Sequence, residues 1–217
     1  MSILGDRNNI AKKIIDITPV INSQMAVFPG DTPFSREVVL DTENGDNISL
    51  SSIKTTVHIG AHTDAPNHYS RQGQGIEARP LELYIGQAQV IEVATRRGQR
   101  ISVQDLKNKE IQCPRVLFKT LSFPNPYKWN SDFMSLSADL VEYLHSKGVR
   151  LVGIDTPSID LAEDKILESH GAVARHDMAI LEGIVLDQVN EGIYELVALP
   201  LAIAGADASP VRAVLLK

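Results

Sequence analysis

The stretch Ser137-Ala-Asp-Leu-Val-Glu-Tyr-Leu-His-Ser-Lys-Gly148-Val-Arg-Leu-Val-Gly-Ile154 holds a helix and a strand back to back. Leu140, Val141 and Leu144 recur on one helical face, Ser137 stands at the N-cap position, and Gly148 is placed to end the helix, so residues 138–147 read as α-helix. Residues 149–154 follow at once as a short apolar run bounded like a strand. A helix that feeds straight into a buried strand is a building unit of α/β folds. Working outward, apolar or β-branched runs bounded by Pro, Gly, Asn or Asp predict strands at 14–20, 38–41, 48–59, 88–94, 115–120, 184–186, 194–200 and 211–216. A shorter helix is expected over 103–108, with Ser102 as cap and Asp105 at the third position of a capping box. Another is expected around 160–169. The Pro-rich stretch 123–129 reads as a long surface loop, and no repeat or linker divides the chain, so the expected class is α/β with mixed strands in a single domain over residues 1–217.

Composition bounds the function. A domain of 217 residues buries roughly 70% of its unfolded surface and needs no disulfide, and 43% hydrophobic with 22% charged residues is ordinary for a globular protein. Cys113 is the only cysteine, which excludes an intramolecular disulfide and a cysteine-based zinc knot and suits a reducing compartment. The N-terminal stretch with Asp6, Arg7, Lys12 and Lys13 lacks the apolar region of a signal peptide, and no apolar run approaches a membrane span, so a cytoplasmic protein is expected. The net charge of −6, from 27 acids and 21 bases without like-charged blocks, offers no footprint for nucleic acid or an anionic membrane.

The chemistry concentrates in His58-Ile-Gly-Ala-His62-Thr-Asp64-Ala-Pro-Asn-His68. Thr55, Thr56 and Val57 lead into it, Gly60 interrupts it and Pro66 opposes a continuous helix, so an extended segment running into a loop is expected. Side chains alternate along a strand, and 58, 62, 64 and 68 share parity, so they can converge on one point. Neutral imidazoles with a carboxylate form the usual first shell of Zn²⁺ or Mn²⁺ in hydrolytic sites. A second group lies at Glu168-Ser-His170 to His176-Asp177 and at Glu182, which ends the apolar run 178–181, where a buried carboxylate calls for a cation. The alternative for Glu182 is a strand end in water, and for Phe28 a core aromatic. His145 suits the last turn of its helix, and Asp155-Thr-Pro-Ser158 either faces a site at the end of its strand or makes a turn. Neither a Gly-rich phosphate loop, a G-x-S-x-G motif nor a Cys/His nucleophile pair occurs.

The His58–His68 segment resembles the H-x-G-T-H-x-D-A-P-x-H signature of the cyclase superfamily. Phe28-Pro-Gly-Asp31, Gly153-Ile-Asp-Thr-Pro-Ser158, Arg175-His-Asp177, Ile180-Leu-Glu-Gly183, Ala198-Leu-Pro-Leu201 and Ala206-Asp-Ala-Ser-Pro-Val-Arg-Ala-Val214 are similar to its bacterial kynurenine formamidase branch. The resemblance implies a swivelling β/β/α fold, a homodimer with sites near the subunit interface, a small-molecule substrate, and two Zn²⁺ per subunit, with Mn²⁺ as the substitute. It makes His58, His62 and Asp64 ligands of one zinc, with Asp64 bridging to a second that His170 ligates, and Glu182 bridging both. It makes His68 the proton donor and acceptor and sets Phe28 against the substrate. The implied reaction is hydrolysis of N-formyl-L-kynurenine in tryptophan catabolism. Other aryl amides, a cyclic lactam such as isatin, or metal binding without turnover are the alternatives. Ala61 stands where Thr is usual, Phe28 where Trp is common, and Gly171 where a second His is often seen.

Overall fold

The computed structural model describes residues 13–107 and 109–217. Asp6, Arg7 and Lys12, on which the N-terminal reading rests, and Asn108, the last residue of the helix expected over 103–108, lie outside the described residues. In chain order the fold contains β1 (Ile14–Asp16), β2 (Ser35–Leu40), β3 (Leu50–Lys54), β4 (His62–Asp64), α1 (Pro66–Tyr69), β5 (Ile85–Glu92), β6 (Arg100–Ile101) and β7 (Arg115–Lys119). There follow β8 (Ser135–Leu136), α2 (Ala138–Ser146), β9 (Leu151–Ile154), α3 (Glu168–Arg175), β10 (Ala179–Leu181), β11 (Gly192–Val197), β12 (Ala208–Pro210) and β13 (Val214–Leu216). Seven strands form one mixed sheet in the order β1-β13-β11-β5-β7-β9-β10. It is antiparallel from β1 to β5 and parallel from β5 to β10.

The period of two divides the core. Val116, Phe118, Val152, Ile154 and Ile180 face Leu140, Val141 and Leu144 of α2 and Ala172 and Val173 of α3. Their neighbours Leu117, Leu151, Ala179 and Leu181 face Ile17, Tyr84, Leu196 and Leu215 on the other side. Full burial of each large aliphatic or aromatic side chain contributes about 1.5–3 kcal/mol, which makes both faces, rather than one, the source of stability. The β2–β3 hairpin projects from this body with little burial of its own.

The helix expected over 138–147 forms over Ala138–Ser146, and Ser137 accepts from Leu140 N as its cap. Asp105 accepts from both the backbone N–H and the hydroxyl of Ser102, and the segment winds as a 3-10 turn over Val103–Leu106. Other boundaries moved. The helix expected around 160–169 starts only at Glu168, because Leu167 takes a left-handed φ of 54° and the carboxylate of Asp160 accepts from Ser169 N and His170 N across the intervening loop. Residues 184–186 are not a strand, since Val185 N donates to Ile17 O without a ladder around it; the strand is β10, just before. The strand expected over 48–59 stops at Lys54.

Candidate metal centre

Two chain segments meet through one antiparallel bridge. His62 N donates to Glu182 O at 3.0 Å and Glu182 N donates to His62 O at 2.9 Å, so the first chemical cluster is bonded to the second through backbone. His62 and Asp64, two apart on β4, point the same way, and both are buried. His68 is not on a loop: it lies on the single turn α1, which starts at Pro66. Pro opposes a helix running through it but is preorganised for the first helical position, which corrects the extended reading at this end. His170 comes from the first turn of α3, and Glu182 is 2% exposed, which removes the reading of a strand end in water.

The imidazoles are oriented alike. His62 Nδ1 is 2.9 Å from Gly60 O and its Nε2 is 3.2 Å from Glu182 Oε2. His170 Nδ1 is 2.7 Å from Asp160 Oδ2, and its Nε2 is 3.4 Å from Asp64 Oδ2 and 3.9 Å from Glu182 Oε1. His58 Nε2 is 2.9 Å from Asp207 Oδ2 and its Nδ1 is 3.0 Å from Asp64 Oδ1. Each ring thus gives one nitrogen to an outer acceptor and turns the other toward the carboxylates of Asp64 and Glu182. Outer acceptors of this kind set the tautomer and basicity of metal-ligating histidines.

Asp64 is fully buried, and its Oδ1 faces His58 Nδ1 at 3.0 Å without hydrogen-bond geometry, as an oxygen placed to meet a cation would. Burial alone would raise the Asp64 pKa, but His170 and His58 hold it well below the usual carboxylate range. Burial likewise disfavours charge on His58 and His170. Asp64 and Asp207 nevertheless raise His58 to about 9, and Asp160 and Asp64 raise His170 to about 10. Protons on these rings supply positive charge at the point where a divalent ion would supply it. No Lys or Arg among the described residues lines the cavity here. The donor set fits divalent metal: His58, Asp64 and His68 have ligand atoms close enough to share an ion, and so have His62, Asp64 and Glu182, with Asp64 common to both. The first grouping admits His68 as a ligand as well as a proton carrier.

Beside the centre opens a cavity of about 800 Å³, with His58, His68, Asp207, Phe28, Phe123 and Ser158 on its wall. Phe28 is half-buried, its ring edge-on to Trp129 at 4.8 Å and to Phe133 at 6.5 Å, so it is a wall residue backed by the core rather than a core residue. Residues 123–129 do form a loop, but Trp129 packs inward against Phe28, and Phe123 against Trp129 and Phe133. Pro157 and Ser158 reach the cavity, whereas Asp155 turns away and accepts from the backbone of Thr120 and Leu121. His176 is not brought to the centre; it pairs with Glu142 and stacks on His145 at 3.9 Å. Sequence reasoning missed Asp160, which it had taken only as a helix start, and Asp207, whose one signal was its place in the quoted stretch from Ala206.

Three comparisons bear on this arrangement. Residues 15–161 match the family model described as "Putative cyclase". The chain is 44% identical over 205 residues to a kynurenine formamidase of Bordetella avium, covering 94% of this chain and 98% of that one. A solved structure described as a potential metal-dependent hydrolase with cyclase activity is 31% identical, with a TM-score of 0.82 over 95% of this chain and 98% of its own. Isatin hydrolase A from Ralstonia solanacearum, 21% identical, shares the fold with a TM-score of 0.80 over 94% of this chain and 92% of its own.

Proposed function

The chain belongs to the cyclase family, and from that premise we propose that it is a metal-dependent amidohydrolase converting N-formyl-L-kynurenine and water to L-kynurenine and formate. The observation that carries the reading is Asp64, a buried carboxylate with one oxygen toward His58 and the other toward His170, whose Oδ1 lacks a partner in hydrogen-bond geometry. His58, His62 and Asp64 would hold one ion, and Asp64, His170 and Glu182 a second. Zn²⁺ suits this nitrogen and carboxylate set, and Mn²⁺ is the substitute. When bound, such ions supply Lewis acidity, which makes water a nucleophile near neutral pH and draws charge from a carbonyl oxygen.

The protein's own groups do the rest. His68 lies on the cavity wall with its side chain 35% exposed and its ring 4.2 Å from that of His58. There it accepts the proton of the attacking water and returns it to the departing aniline nitrogen. Phe28, supported by Trp129, offers an aromatic wall to the substrate's aryl group, and an anilide leaves more readily than an alkyl amide because its amine is less basic. The unit is read as one domain acting as a homodimer, for the projecting hairpin leaves Val39 57% and Ile53 66% exposed, apolar area that a second copy would cover. A cytoplasmic location suits the lone Cys113; among the described residues no helix is long and apolar enough to cross a membrane. The test is a panel of N-formyl-L-kynurenine, simple aryl formamides and isatin on zinc-loaded protein. Preference for the formylated kynurenine is expected. Turnover of isatin alone would keep the metal hydrolase and defeat the substrate.

A further inference from the structure

Asp207 immediately precedes β12, whose pairing with β4 sets Ala208 opposite Asp64 and Pro210 opposite His62. Ala65 N donates to Asp207 O at 2.8 Å, so the backbone under this carboxylate is fastened to the strand that carries the centre. Its Oδ2 stands 2.9 Å from His58 Nε2 and 3.6 Å from His68 Nδ1. One oxygen therefore faces two imidazoles, one assigned to metal and the other to proton transfer. A neutral imidazole has one N–H and one lone pair, so the acceptor that takes the N–H decides which nitrogen is left basic.

We propose that Asp207 is a positioning residue that sets the tautomer of His58 and, through its charge, holds the ring of His68 beside it. With metal bound, when His58 is neutral, accepting from its Nε2 leaves Nδ1 as the lone-pair nitrogen, and this is the one that lies 3.0 Å from Asp64 Oδ1. Toward His68 it acts as a charge, since 3.6 Å to Nδ1 is beyond direct hydrogen-bond reach. His62 and His170 have acceptors of their own in Gly60 O and Asp160, so loss of Asp207 disturbs only His58 and His68. The Asp207 side chain is 49% exposed, and its removal opens no buried void. The role rests on the metal hydrolase reading.

The experiment compares wild type with Asp207→Asn, Asp207→Ala and Asp207→Glu. It measures zinc affinity by chelator competition, zinc per chain at saturation, the Tm of metal-free protein, and kcat and KM at saturating zinc. For Ala we expect unchanged metal-free Tm, zinc still saturable at two per chain, affinity for one of the two ions about 10–100-fold weaker, and lower kcat at constant KM; Asn, which keeps an acceptor without the charge, should fall between Ala and wild type. Glu should recover part of both losses. Equal zinc affinity and kcat in Asp207→Ala, which removes the acceptor, would overturn the proposal, as would loss of one zinc even at saturation, which would make Asp207 a ligand. Wild type that binds no zinc would overturn the metal reading itself, a result separate from either.

Discussion

Gly183→Ala should damage the protein at one identifiable place. Gly183 follows Glu182 directly, has a φ of +65°, and passes over the chain at Gly60: a Cβ built on it falls 2.1 Å from Gly60 O and 2.8 Å from Gly60 C. These are backbone atoms and cannot rotate aside. The displaced carbonyl is the acceptor that orients His62, and the displaced chain includes the bridge between His62 and Glu182. The left-handed backbone costs a residue with a Cβ about 1–2 kcal/mol, and overpacking adds about 1–3 kcal/mol. The sum, about 2–5 kcal/mol, lowers Tm by roughly 4–20 °C for a domain of this size. Misplacement of a ligand by ~1 Å costs on the order of 10²-fold in rate, so zinc content and turnover should fall further than stability alone explains. Gly45→Ala is the control, because Gly45 has a φ of +94° with nothing within 4 Å of the added Cβ. It should show the strain and keep its metal. Thermal unfolding and zinc analysis of both variants decide the matter; a Gly183→Ala protein with wild-type Tm and zinc content would refute the crossing of the two segments described here.

His68→Ala is expected to keep both ions and lose roughly 10²–10⁴-fold in kcat, the range for a positioned acid and base; zinc lost in step with activity would make His68 a ligand. Phe28→Ala should raise KM for N-formyl-L-kynurenine several-fold with little change in Tm, whereas a core aromatic would cost ~3–5 kcal/mol, and Phe28→Trp should keep or improve use of that substrate. In metal-free protein His58 and His170, with folded pKa values near 9 and 10, lie above the ordinary 6.5. Their contribution to stability is full below pH 6.5 and is lost as pH rises through 9 to 10, so Tm should fall over that window, and a flat Tm there would contradict the charge arrangement.

The segment from His58 to His68 was legible because its donor residues are close in sequence, and helix 138–147 because its period, cap and terminating glycine agree. His68 itself was assigned to the right cluster and the wrong element, since Pro66 was weighed as a helix breaker and not as a helix start. Asp160 and Asp207 were not legible as site residues. Each reaches its histidine across a gap that only tertiary structure closes: Asp160 over the loop before α3, and Asp207 through the pairing of β12 with β4, far along the chain from His58. The packing of Gly183 on Gly60 was hidden for the same reason, although both glycines stood in the quoted motifs. The inward side of the 123–129 loop was missed because proline content marks a loop without saying which way its aromatic rings turn.

If ions held by Asp64 and Glu182 supply the hydrolytic chemistry, turnover must follow bound metal. The most direct test is to strip the protein of metal and titrate Zn²⁺ back while following both bound zinc and N-formyl-L-kynurenine hydrolysis. No turnover is expected at zero zinc, and full turnover as binding reaches two ions per chain. Full turnover by the stripped protein would contradict the metal hydrolase reading.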